Sequence, residues 1–129
     1  MLASELSILA VYGLVVAITL ILQATGALLQ ADMGYLLSSR DESRTVTGMA
    51  ARTERALSNS VTAMALFAPA ILILAVKDSF STESLLAAQV FLLARVIYLP
   101  AYVFGIVGIR SLVWIVGFFA TIILYFLAL

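Results

Sequence analysis

Long apolar stretches separated by short polar connections make up most of this chain. Four of these stretches are almost uniformly apolar, and they cover roughly residues 6–29, 55–76, 84–104 and 109–127. Each has about the 20 residues needed to cross a ~30 Å hydrocarbon core. Apolar residues occupy every face of each segment. The hydrocarbon core of a membrane offers no hydrogen-bond partners to the backbone. We therefore predict four transmembrane α-helices.

Composition supports a membrane protein and limits its chemistry. Of the 129 residues, 64% are hydrophobic and 11% are charged, and the mean hydropathy is +1.19. A soluble domain of this length could not bury so much apolar surface. Seven basic and seven acidic residues cancel, so we expect no nucleic-acid partner. The sequence has no Cys or His, so we expect no disulfide, no Cys/His metal site and no catalytic thiol of its own.

The chain is predicted to form one structural unit. It has no long repeat, low-complexity tract or separate soluble region, so we predict an all-α, integral membrane four-helix bundle with residues 1–129 as a single domain. The opening "MLASELSILAVYG" has no basic leader and no convincing cleavage site, so we expect it to be retained in the first helix. Pro69 and Pro100 lie inside predicted helices and should bend them.

Basic residues concentrate on one side of the predicted bundle. The first connection carries the loop arginines Arg40 and Arg44 together with Arg52, and the third connection ends at Arg110. On the opposite side the only basic residue of the sequence is Lys77. The positive-inside rule therefore predicts periplasmic termini and cytoplasmic arginine-bearing connections.

The second predicted helix begins with a polar face. In "RTERALSNSVT", Arg52, Arg55, Asn59 and Thr62 are spaced by three, four and three residues, which places them on one side of a helix. For Arg52, as for the loop arginines, snorkelling to lipid headgroups is the preferred interpretation. For Arg55, headgroup contact and ligand binding are equally good explanations, and the same holds for Arg110.

The third predicted helix carries a deep charge. In "ARVIYLPAY", Arg95, Tyr98 and Tyr102 share one face, and Arg95 lies about ten residues from either end of its span. A charge at this depth costs roughly 2.5–3.5 kcal/mol, so we expect Arg95 to face protein, water or a ligand. The structural alternative is that it pairs with Glu54 or with backbone carbonyls.

The sign of this polar cluster indicates the kind of ligand. No Asp or Glu lies inside a predicted span, whereas proton relays and cation pathways normally use intramembrane carboxylates. Guanidinium groups beside tyrosine hydroxyls favour an anionic, carboxylate-bearing ligand held by bidentate hydrogen bonds. The candidate site residues, expected towards the cytoplasmic face, are Arg55, Asn59, Arg95, Tyr98, Tyr102 and Arg110.

These segments resemble the MAPEG family, the membrane-associated proteins in eicosanoid and glutathione metabolism. The resemblance rests on "RTERALSNS", "ARVIYLPAY" and "IRSLVW" and covers nearly the whole chain. The family includes microsomal glutathione transferases, leukotriene C synthase and microsomal prostaglandin E synthase. "GYLLSSRDE" is similar to bacterial members, which implies the bacterial inner membrane. The resemblance also implies a homotrimer with glutathione bound between subunits near the cytoplasmic face.

The resemblance implies a role for most of the candidate residues. Arg55 and Asn59 match the family's pair that holds the peptide and carboxylate groups of glutathione. Tyr98 and Tyr102 match positions that contact the tripeptide, with Arg95 as a supporting arginine.

Two further positions bear on activity. Arg110 resembles the catalytic arginine that stabilises the glutathione thiolate, since a nearby guanidinium lowers a thiol pKa. Thr62 stands where family members commonly carry Glu, which meets the ammonium group of glutathione. The ligand amine would therefore lose its ion-pair partner in this protein.

Two function hypotheses follow. The first is a glutathione-dependent membrane enzyme, a transferase or peroxidase acting on a hydrophobic electrophile or a lipid hydroperoxide. The second, which Thr62 favours, is a non-catalytic protein that binds lipid or packs as an accessory subunit of a membrane complex. A transporter is less favoured, because internal repeats and discontinuous helices are missing. Trp114, Tyr12 and Tyr125 are interpreted as packing or interface residues.

Overall fold

The computed structural model describes residues 3–30 and 48–129, and four long helices account for most of these ranges. Numbered in chain order, they are α1 (Glu5–Gln30), α2 (Gly48–Val76), α3 (Thr82–Val103) and α4 (Val107–Ala128). All four are long and apolar enough to cross a membrane. The predicted all-α architecture with four spans is therefore confirmed. The loop arginines and the segment "GYLLSSRDE" lie outside the described residues.

The start of α2 differs from the sequence prediction. The predicted span begins at residue 55, whereas the helix begins at Gly48. Hydropathy locates the part of a helix that lies in lipid, but the hydrogen-bonded backbone continues beyond it through the polar segment "GMAARTE". Arg52 therefore lies on the helix, about one turn before Arg55.

Two cations join helix ends across the bundle. At one end, Arg52 Nε donates to the carbonyl of Val103 at 2.7 Å. At the other end, Lys77 Nζ donates to the carbonyl of Ala128 at 2.8 Å. The last carbonyls of a helix lack intrahelical donors, and the negative end of the helix dipole favours a cation there. Arg52 therefore caps α3, which differs from the predicted headgroup contact.

An aromatic cluster fills the centre of the bundle between α1, α2 and α3. Phe67 and Phe91 stack with 3.9 Å between ring centroids and 5° between planes. Tyr12 meets both rings edge-on, at 6.2 Å and 5.0 Å. All three side chains are buried, and Phe91 lies one turn before Arg95 on α3. Pro69 and Pro100 both lie within continuous helices.

A three-residue turn, residues 104–106, joins α3 to α4. The Gly105 N–H donates to the carbonyl of Tyr102 at 3.1 Å, and the Ile106 N–H donates to the carbonyl of Ala101 at 2.8 Å. This pair of bonds is the Schellman ending, which requires a left-handed residue. Gly105 supplies it with φ of +75°. The turn therefore fixes where α4 begins relative to the last turn of α3.

Candidate functional site

Tyr102 joins two of the predicted site arginines. Arg55 Nε on α2 donates to the Tyr102 hydroxyl oxygen at 3.2 Å. The Arg110 guanidinium on α4 lies over the Tyr102 ring, with 4.7 Å from Cζ to the ring centroid. The structure therefore brings three candidate residues from three helices together where α2 begins, α3 ends and α4 begins.

A cleft of about 250 Å³ opens beside this cluster, and we call it the outer cleft. The rings of Tyr98 and Tyr102 lie 5.5 Å apart in it at 42°. Aromatic faces and one guanidinium therefore meet at a surface that a ligand can reach. The residues lining the outer cleft are Tyr98, Tyr102, Arg110, Ser111, Trp114 and Ile115.

Arg95 lies inside the bundle, with only 2% of its surface exposed. Its Nη2 donates to the Ser60 hydroxyl oxygen at 3.1 Å, and its Cζ lies 4.2 Å from the centroid of the Tyr98 ring. The structural alternative predicted from the sequence is that Arg95 pairs with Glu54 or with backbone carbonyls. In the described part of the chain, the Arg95 hydrogen bond goes instead to the Ser60 hydroxyl, and Glu54 is exposed.

A second, smaller space of about 70 Å³ lies between α2, α3 and α4, and we call it the inner cavity. It is lined mainly by apolar side chains, together with Asn59, Thr62, Arg95 and Trp114. The atoms Asn59 Oδ1 and Arg95 Nε are both buried, and neither has a hydrogen-bond partner among the described residues. An acceptor and a charged donor without partners among the described residues therefore belong to two residues that line the same cavity.

Thr62 lines the inner cavity without adding charge. Its hydroxyl donates to the carbonyl of Ser58 at 3.1 Å, within its own helix. The single hydroxyl hydrogen is therefore used locally.

Among the described residues, the site arginines contact neutral groups. Arg55 and Arg95 bind hydroxyl oxygens, and Arg110 lies on an aromatic ring. None of these contacts cancels the positive charge of a guanidinium. The site as a whole is therefore suited to an anion.

Three aromatic residues were predicted to have packing or interface roles only. The structure agrees with a packing role for Tyr125, since its hydroxyl donates to the carbonyl of Leu66 at 2.6 Å. The position of Trp114 differs from the prediction, because this residue lines both the outer cleft and the inner cavity. Its position one turn after Arg110 is a spacing signal that could have identified it. Tyr12 packs in the core and also donates to the carbonyl of Ser60 at 2.9 Å.

The fold and the site define a class of protein, a multi-pass membrane four-helix bundle with a positively charged, aromatic cleft at one end. A model of the MAPEG family matches residues 6–129, essentially the whole chain, and the chain belongs to this family. The family includes glutathione-dependent transferases and peroxidases as well as non-catalytic members. A comparison with individual curated proteins gives no match.

Proposed function

We propose that this protein is a glutathione-dependent membrane enzyme of the transferase or peroxidase type. Its second substrate would be a hydrophobic electrophile or a lipid hydroperoxide. The observation that carries the proposal is the contact of Arg55 and Arg110 with the same tyrosine, Tyr102, in segments that belong to the MAPEG match. Two guanidiniums that have no carboxylate partner among the described residues meet at Tyr102 and favour a ligand with more than one negative group.

The residues fit the anionic parts of glutathione. The Nε atom of Arg55 is held by the hydroxyl of Tyr102, a residue that lines the outer cleft. The terminal nitrogens of Arg55 then suit a bidentate bond to a carboxylate. The amide of Asn59 suits the peptide groups, because it can both donate and accept. Thr62 offers no partner of opposite charge for the ligand ammonium group.

Arg110 supports the chemical step. When bound, glutathione would supply a thiol, which as a thiolate attacks an electrophilic carbon or reduces a hydroperoxide. The Arg110 guanidinium beside that sulfur would favour the charged form and lower the thiol pKa. Trp114 and Ile115 give the outer cleft an apolar wall, which suits a second substrate that arrives from the lipid.

The alternative is a non-catalytic member that binds lipid or packs as an accessory subunit. The specific observation in its favour is Thr62, whose hydroxyl is bound to Ser58 and which carries no charge. Without a carboxylate there, the amine end of glutathione would be held less tightly.

We further propose a homotrimer in the bacterial inner membrane, with periplasmic termini and the outer cleft near the cytoplasmic face. Arg55 is exposed in the single chain, and a subunit seam would remove that charge from lipid. The arginines of the first and third connections support the orientation.

The deciding experiment is isothermal titration of the detergent-purified protein with glutathione. It should be followed by turnover assays with a chloronitrobenzene and with an organic hydroperoxide. We expect binding, together with activity towards at least one substrate. Glutathione with esterified carboxylates is the control ligand, and it should bind more weakly because Arg55 loses its anionic partner. If the protein neither binds glutathione nor turns over either substrate, the enzyme hypothesis is wrong and the accessory role is favoured.

A further inference from the structure

A buried chain of hydrogen bonds links α1 to the site through α2. The Tyr12 hydroxyl donates to the backbone carbonyl of Ser60 at 2.9 Å. The Ser60 hydroxyl oxygen accepts from Arg95 Nη2 at 3.1 Å. Tyr12 and Ser60 are fully buried and Arg95 nearly so. The three residues come from three different helices, so the chain ties the deepest described arginine to the rest of the bundle.

The surroundings of this chain restrict its movement. The edge-on contacts of Tyr12 with Phe67 and Phe91 hold its ring in place. The Tyr98 ring, whose centroid lies 4.2 Å from Arg95 Cζ, supports the guanidinium. A buried guanidinium is costly without partners, so loss of either the hydroxyl acceptor or the ring would release it from this position.

Arg95 is placed near two of the proposed binding residues, Tyr98 and Asn59. Tyr98, on which its guanidinium rests, also lines the outer cleft. Arg95 and Asn59 also line the inner cavity together, and Arg95 Nε and Asn59 Oδ1 are both buried without a hydrogen-bond partner among the described residues. That cavity of about 70 Å³ has room for water molecules. Water can accept from Nε and donate to Oδ1.

We propose that Tyr12 and Ser60 are positioning residues that fix Arg95, and that Arg95 fixes Tyr98 through its ring and Asn59 through a water molecule in the inner cavity. Arg95 then acts on the ligand through these two residues and does not touch it. The binding roles of Tyr98 and Asn59 rest on the proposed function, whereas the buried network does not.

The test compares Tyr12→Phe and Ser60→Ala with the matched control Tyr125→Phe. Each tyrosine variant removes one hydroxyl that donates to a carbonyl of α2, but the Tyr125 hydroxyl bonds to Leu66, whereas the Tyr12 hydroxyl bonds to Ser60, which also accepts from Arg95. Tyr12→Phe keeps the ring and its packing, so the protein should still fold. We expect glutathione affinity to fall roughly three- to tenfold in Tyr12→Phe and Ser60→Ala, and to stay within about twofold of wild type in Tyr125→Phe.

A conservative variant of Ser60 distinguishes a positioning role of its hydroxyl from a general loss of stability. Ser60→Thr keeps the hydroxyl acceptor and should bind glutathione more tightly than Ser60→Ala. Equal losses of affinity in Tyr12→Phe and in the Tyr125→Phe control would mean that these hydroxyls only stabilise the bundle, and the proposal would be overturned. Wild-type affinity in both Tyr12→Phe and Ser60→Ala would overturn it as well.

Two readouts do not depend on glutathione. Trp114 is the single tryptophan of the chain and lines both spaces, so its fluorescence emission should shift in Tyr12→Phe and not in Tyr125→Phe. A crystal structure that resolves ordered water should show density within about 3.2 Å of both Arg95 Nε and Asn59 Oδ1.

These readouts separate two kinds of failure. If wild type binds no glutathione, the proposed function fails, and an emission shift confined to Tyr12→Phe still supports the buried network. An unchanged emission in Tyr12→Phe, or an inner cavity without water density, would overturn the corresponding part of the proposal.

Discussion

The guanidinium of Arg110 lies over the ring of Tyr102, with 4.7 Å between Cζ and the ring centroid. A cation on an aromatic face is held by roughly 0.5–2 kcal/mol without needing a carboxylate. The ring therefore fixes Arg110 but leaves its charge uncancelled. This combination is suited to stabilising an anion that forms during a reaction, because the charge is already in place.

Replacement of Arg110 by Ala should affect the chemical step more than binding. In wild type the guanidinium would lower the thiol pKa of bound glutathione, so the thiolate is present at a lower pH. In Arg110→Ala that pKa should rise, and the rise of rate with pH should move to higher pH. We expect a lower turnover with little change in glutathione affinity. Ultraviolet titration of the bound thiolate checks the pKa, and an unchanged titration curve would contradict the role.

Replacement of Arg55 by Ala should show the opposite pattern. It removes charge-assisted hydrogen bonds to a ligand carboxylate, each worth roughly 1.5–3 kcal/mol. We expect glutathione affinity to fall at least tenfold, while the thiol pKa of the bound ligand stays near its wild-type value. Calorimetry and the same ultraviolet titration separate the two arginines. A thiol pKa that moved equally in Arg55→Ala and Arg110→Ala would contradict this division of roles.

Thr62→Glu tests the departure from the family pattern. The Thr62 hydroxyl bonds to its own helix, so its loss frees only the Ser58 carbonyl. A carboxylate at this position should pair with the ligand ammonium and raise glutathione affinity several-fold. Thr62→Gln is the control, since it has the same size without the charge. Equal affinities for Thr62→Glu and Thr62→Gln would mean that the ammonium group does not point towards residue 62.

Arg52→Ala should lower stability, because Arg52 caps α3 at the Val103 carbonyl. A hydrogen bond from a charged donor contributes about 1–3 kcal/mol, so thermal denaturation in detergent should shift down by a few degrees. Glu54→Ala, an exposed substitution on the same turn of α2, should leave the transition nearly unchanged. If the Arg52→Ala transition matched that of Glu54→Ala, Arg52 would contribute nothing to the α3 end.

The assembly can be tested by mass in mild detergent or in native nanodiscs. We expect three copies of the 13.8 kDa chain, because a subunit seam would remove exposed Arg55 from lipid. Apolar side chains that are exposed in the single chain, such as Leu14 and Leu22 on α1, would be available for packing between copies. A monodisperse monomer under these conditions would contradict the trimer.

The sequence predicts the helices and their polar faces well, because both depend on local pattern. Hydropathy locates four spans, and three- and four-residue spacing places Arg55 with Asn59 and Tyr98 with Tyr102 before any tertiary contact is known. The start of α2 at Gly48 was not predicted, because a helix does not end where hydropathy falls.

The contacts between helices are less predictable. Ser60 is one residue from Asn59 and therefore about 100° around the helix from it. Only the rotation and depth of α3 against α2 decide that Ser60, and not Glu54, meets Arg95. The inner cavity and the double role of Trp114 likewise depend on how three helices pack, and no single segment encodes them.

The turn at residues 104–106 has an evolutionary consequence. It is held by the Schellman bonds around Gly105, and its length sets the rotation of α4 against α3. An inserted residue would break the Schellman pattern and change how the start of α4 faces α3, which would move Arg110 relative to Tyr102. Insertions and deletions in this turn would therefore separate Arg110 from Tyr102 in descendants of this fold while every residue of the site was inherited unchanged.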